Sequence, residues 1–103
     1  MVQSKIMDWA DTAIDLLSLG KDAEIRPVGG SMRGLIESGA LVLLSPCVAS
    51  DCAVGDIVLC RVGSKVYLHL VKGVDASGVL IGNNLGKING YASAIYGRVV
   101  KVS

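Results

Sequence analysis

Phenylalanine is missing from this chain, and only one tryptophan and three tyrosines stand in for it, so the interior must be built without large rings. Hydrophobic residues still make up 51% of the 103, and most of them are valine, leucine, isoleucine and alanine. Branched aliphatic side chains suit a pleated surface better than a helical bundle, so a mainly β domain is expected. Positive charge is also scarce as a patch. Ten basic residues face nine acidic ones, for a net charge of +1, and no basic run occurs. Phosphate neutralisation needs clustered cations, which argues against nucleic acid as a partner. No stretch reaches the ~18 to 20 consecutive apolar residues of a membrane span. Asp8, Asp11 and Asp15 interrupt what would be the apolar region of a signal peptide.

Cysteine is sparse and odd in number, with Cys47, Cys52 and Cys60. An odd count argues against a closed disulfide framework and points to reduced thiols in a cytoplasmic protein. Cys47 and Cys52 with His69 would make a metal site at the margin of zinc spacings, but a second histidine is missing. Thiols filling packing space are the simpler reading, and no metal or cofactor is expected.

What is present is a single domain over residues 1–103, with a leading helix in 1–20 and a β domain in 24–102. From about Ser4 to Leu19, Ile6, Ala10, Ala13, Ile14 and Leu17 recur at helical spacing, opposite Asp8, Asp11 and Asp15. Ser4 is placed to cap the start and Gly20 to stop the end. The acidic face disfavours anionic lipid, so this helix is expected to pack on the sheet or on a second copy in a homodimer. Strands are expected at Glu24–Val28, Ala40–Leu44, Asp56–Val62, Lys65–Lys72, Val79–Ile81 and Ile95–Val102. Gly63-Ser64 reads as a compact hairpin turn, Ser31–Ile36 as a helical turn, and Leu85–Ala92 as loop.

Two features carry potential chemistry. The first is Gly29-Gly30-Ser31-Met32, where flexible glycines can present a serine and let a carbonyl approach closely. The second is His69, the only histidine. Strand alternation puts it with Lys65 and Tyr67 on one face, opposite Val66, Leu68 and Leu70, so it is expected to point away from the core toward a cleft or solvent. An imidazole titrating near neutrality can serve as a general base. Taken singly, a turn serine and a strand histidine are better explained as structural residues. Asn83, Asn84, Lys87 and Asn89 read either as a polar loop lining the cleft or, more simply, as turn chemistry alone.

The order of short motifs adds to this. Gly29-Gly30-Ser31-Met32-Arg33-Gly34-Leu35-Ile36 is followed by Gly39-Ala40-Leu41-Val42, Val54-Gly55-Asp56-Ile57-Val58, Leu68-His69-Leu70-Val71, Gly82-Asn83-Asn84 and Gly97-Arg98-Val99-Val100. This series resembles the nucleophile box, G-D strands, general-base strand and closing strand of the LexA-like and signal-peptidase-like serine peptidases. The resemblance implies a small antiparallel, barrel-like β fold with one N-terminal helix. It implies Ser31 as nucleophile and His69 as base in the position that holds lysine in bacterial members. It further implies Gly29, Gly30 and Met32 around the oxyanion and substrate, a peptide or protein as substrate, and Asn83 as the residue that orients the base. The chain departs from the family pattern at Gly34, where proline is usual, at Ala40 and Asn83, where aspartate is usual, and at Leu70, where arginine is usual. Asp56 and Asp75 are further candidates to support His69. The resemblance leaves two alternatives open. One is a catalytically weak module of the same fold that holds a peptide by strand addition; the other is a structural or oligomeric β domain.

Overall fold

The computed structural model describes residues 9–103. Helix α1 spans Asp11–Ser18 and is followed by strands β1 (Ala23–Ile25), β2 (Val42–Pro46), β3 (Ile57–Val62), β4 (Lys65–Asp75), β5 (Gly78–Gly82), β6 (Ile88–Tyr91) and β7 (Ala94–Val102). All pairings are antiparallel, in the order β1-β2-β7-β3-β4-β5-β6. β3 to β6 form a meander of hairpins, and β7 returns to fill the gap between β2 and β3. The mainly β expectation holds, but the barrel-like closure does not: β1 and β6 are the two edges of an open sheet. Both edges are short, with three and four residues, and offer little ladder for closure.

Local chemistry accounts for most boundaries. The helix stops where Gly20 takes φ +80°, its N–H bonding the Leu17 carbonyl at 3.0 Å while the Lys21 N–H reaches back to Leu16, also at 3.0 Å. The described helix begins at Asp11, with Ala10 at the cap position and no side-chain cap. The expected cap Ser4, together with Ile6 and Asp8, lies outside the described residues. Val62 pairs with Lys65 across a two-residue turn in which Gly63 has φ +61°, as a tight hairpin requires. β2 runs through Pro46 rather than ending before it. β1 pairs only as far as Leu44, so β2 is an edge strand at the proline and loses no ladder bond on that side.

Two apolar clusters lie on opposite faces of β3 and β4. The larger joins Ala13 and Leu17 of α1 to Ile25, Met32, Val42, Leu59 and the Val66, Leu68 and Leu70 face of β4. The smaller gathers Val58, Cys60, Val71, Val79 and Ile81, with Tyr67 packed against it. The face that carries Tyr67 and His69 is therefore not the solvent face. His69 is 6% exposed.

Helix and sheet meet closely at Gly97. A methyl there would lie 2.8 Å from the Ser45 carbonyl oxygen of β2 and 2.9 Å from both terminal carbons of Leu17. Leucine can shift, but the neighbouring strand's backbone cannot. Gly97→Ala is expected to lose about 1 to 3 kcal/mol, read as a lower midpoint of urea unfolding. An unchanged midpoint would show that α1 does not bear on this strand.

Candidate functional site

The nucleophile candidate stands on the long connection between β1 and β2. Gly29 turns the chain at φ +110°, and its N–H is held by the Ser38 hydroxyl at 3.1 Å. The Arg33 N–H bonds the Gly30 carbonyl at 3.1 Å, and the Ile36 N–H bonds the Met32 carbonyl at 2.8 Å, so hydrogen-bonded turns, not a helical turn, occupy Ser31–Ile36. Gly34 then takes φ +95°, a conformation closed to proline, whose ring holds φ near about −65°. The proline that the resemblance leads one to expect here would not fit this backbone. Asn84, from the β5–β6 connection, straps the turn: its N–H bonds the Ser31 carbonyl at 3.0 Å, and its side-chain amide donates to the Arg33 carbonyl at 2.7 Å.

β4 supplies the histidine, paired with Val58 of β3. Ser31 Oγ lies 3.1 Å from His69 Nε2. Tyr67, two residues earlier on the same face, stacks on the imidazole with ring centroids 4.8 Å apart and planes inclined by 28°. Nδ1 lies 2.7 Å from Asn89 Oδ1 on β6. Burial holds the His69 pKa below its ordinary 6.5; the Asn89 hydrogen bond works against this, and the positive charge of Lys87 reinforces it. The imidazole is accordingly neutral at pH 7, with one nitrogen facing the serine.

The structure relocates the residue expected to orient the base. Asn83 is buried, but its side-chain oxygen accepts the Leu85 and Lys87 N–H groups, both at 2.9 Å, and so organises its own loop. The hydrogen bond to His69 comes from Asn89, in a stretch expected to be loop and found to contain β6. Neither aspartate candidate reaches the histidine. Asp75 accepts from Tyr91 at 2.8 Å and from the Ser77 N–H at 2.7 Å, while Asp56 is engaged by the Ala53 N–H at 2.9 Å and Arg98 at 3.6 Å.

Met32 also departs from expectation. Its side chain is buried in the larger cluster and is closed to a ligand, so only its backbone can serve the site. Among the described residues, the N–H groups of Ser31 and Met32 donate to no protein acceptor, unlike that of Gly29. Gly30 leaves room for a neighbour: a methyl there would lie 2.9 Å from a guanidinium nitrogen of Arg33.

Ser31 and His69 open onto one cavity of 280 Å³, walled by Trp9, Pro27, Val28 and the Val66–Leu68 stretch of β4. β5 pairs with β4 only from Leu70 onward, so among the described residues no strand pairs with Lys65–His69 on that side. The cavity therefore lies along an unpaired strand edge that ends at the serine and histidine.

Cys47 and Cys52 sit together, both thiols directed at the Val48 carbonyl, whereas His69 is held by Ser31 and Asn89. Burial pushes the Cys52 thiol up to about 11 and the Cys60 thiol up to about 12. Among the described residues, no group of three or more His, Cys, Asp and Glu side chains is arranged to hold a metal ion. Among the same residues, no helix is long and apolar enough to cross a membrane. Comparison with protein-family models, with curated proteins and with solved structures gives no match to this chain.

Proposed function

We propose that this protein is a serine peptidase of the LexA and signal-peptidase type, with Ser31 as nucleophile and His69 as general base. The observation that carries this reading is the 3.1 Å approach of Ser31 Oγ to His69 Nε2 at the head of a mostly apolar cavity that Arg26 also lines. A serine hydroxyl is a weak nucleophile until a base removes its proton, and the separation is that of a hydrogen bond. A peptide entering the cavity in extended form would pair with the free edge of Lys65–His69 and bring a carbonyl to Ser31. As Ser31 attacks, Nε2 takes the proton, and negative charge develops on the former carbonyl oxygen. The free N–H groups of Ser31 and Met32 are the donors available to stabilise it. Nε2 then returns the proton to the departing amine, and the same nitrogen activates the water that hydrolyses the acyl-enzyme.

The three free thiols accord with work in the cytoplasm. The open edge of β4 also favours a second reading, a peptide-binding module that pairs with its ligand and does not cleave it.

A pH series on a mixed peptide library, with fragments quantified by mass spectrometry, separates the two readings. The base acts when neutral, so cleavage is expected to rise with pH and level off, with a midpoint below 6.5 because burial lowers the His69 pKa. Peptide binding without fragments would favour the binding module. A midpoint near the lysine range of about 10 would remove His69 from the role of base.

A further inference from the structure

We infer that Asn89, aimed by a β-bulge, is the positioning residue that holds His69 with its proton on Nδ1 and leaves Nε2 free to take the proton of Ser31. The inference rests on the peptidase reading and adds a third member to the dyad. In β5 and β6 the register runs Ile81 to Gly90 and then Gly82 to Ile88, so Asn89 is the extra residue with no partner across the ladder. Such a bulge bends the strand and re-aims the side chain of its unpaired residue. Here that side chain reaches 2.7 Å from His69 Nδ1 in the middle of β4.

Two glycines make the bulge. Gly90 adopts φ +127°, a region that L side chains rarely enter. Gly82 passes so close to the Lys87 carbonyl that a methyl would sit 2.6 Å from its oxygen. Asn89 Oδ1 can only accept, so the proton of the neutral ring must lie on Nδ1. Nε2 is then the acceptor, and the Ser31 hydroxyl 3.1 Å away is its donor. With Tyr67 stacked on one face, the ring is fixed in tautomer, tilt and distance. An aspartate here would add charge stabilisation of the imidazolium; asparagine supplies orientation alone.

Because His69 is the only histidine, nitrogen NMR of uniformly labelled protein reads its tautomer without assignment ambiguity. In the native protein above the His69 pKa, the expected spectrum is that of a ring protonated on Nδ1. Asn89→Ala should turn it into a mixture of tautomers and lower kcat about 10- to 100-fold with little change in KM, as when a histidine loses its orienting partner. Asn89→Asp should keep the Nδ1 tautomer, restore kcat and move the pH–rate midpoint upward, since a carboxylate favours the charged ring. A native ring protonated on Nε2, or a spectrum unchanged in Asn89→Ala, would overturn the inference. A fixed Nδ1 tautomer in a protein that cleaves nothing would uphold the assignment and defeat the peptidase reading instead.

Discussion

Ser31→Ala and His69→Ala are each expected to lower kcat/KM for peptide cleavage by about 10⁴-fold or more, and the double variant should lose little beyond either single one. The non-additivity follows from the geometry. Oγ and Nε2 are 3.1 Å apart and act on one proton, so removing either group removes the same step. Neither change should unfold the protein. Ser31 sits on an exposed turn strapped through its carbonyl by Asn84, a bond that Ser31→Ala retains. His69→Ala leaves a gap beside Tyr67, but the main cluster on the opposite face of β4 is untouched. Equal losses with intact folding would fit the dyad. A variant of either residue that retained native kcat/KM would remove that residue from the chemistry.

The second large effect is expected at a residue that touches no reacting atom, Gly82, opposite Leu70 in the sheet. Gly82→Ala would set a methyl 2.6 Å from the Lys87 carbonyl oxygen, 2.9 Å from Lys72 Cγ and 3.1 Å from Ile88 Cδ1. The lysine stem can move aside, but the carbonyl belongs to the loop backbone and is held by the Asn83 N–H at 2.9 Å. Relief of the clash must shift the β5–β6 connection, which carries Asn84 on the serine turn and leads to Asn89 on the histidine. A loss of about 1 to 3 kcal/mol in stability is expected, with kcat falling about 10²-fold at temperatures where the variant is still folded. Thermal unfolding monitored beside peptide cleavage distinguishes the two effects. Destabilisation with full kcat would show that the loop does not position the site.

These two cases also mark what was legible in the sequence. The β-rich character followed from the aliphatic composition, and the β3–β4 hairpin from Gly63-Ser64 between alternating strands. Ser31 and His69 were marked by ordered short motifs, and the structure places their side chains within hydrogen-bonding distance. Asn89 reads from the sequence only as one of several polar loop residues near the cleft, and its place on the base is hidden because its strand obeys no period-two pattern. Ile88-Asn89-Gly90-Tyr91 contains a bulge, and a bulge erases the alternation by which a strand is recognised. Motif alignment pointed to Asn83 instead, whose side chain proves to be a loop organiser. The second apolar cluster was missed for a related reason. Lys65, Tyr67 and His69 look polar along β4, and only pairing with β3 brings Val58 and Cys60 beside them. The open sheet was not legible either, since closure depends on whether the two terminal strands meet, a long-range property of the chain.

The central claim, that Ser31 is an activated nucleophile, is tested most directly by reaction with a fluorophosphonate followed by mass spectrometry of the digested protein. A serine acting with a nearby base attacks phosphorus as it would a peptide carbonyl, displacing fluoride and keeping the phosphonyl group on Oγ. The expected result is one adduct on the peptide containing Ser31, forming faster as pH rises through the His69 titration and absent in both Ser31→Ala and His69→Ala. A native protein left unmodified, or labelled at the same rate when His69 is replaced, would contradict the account.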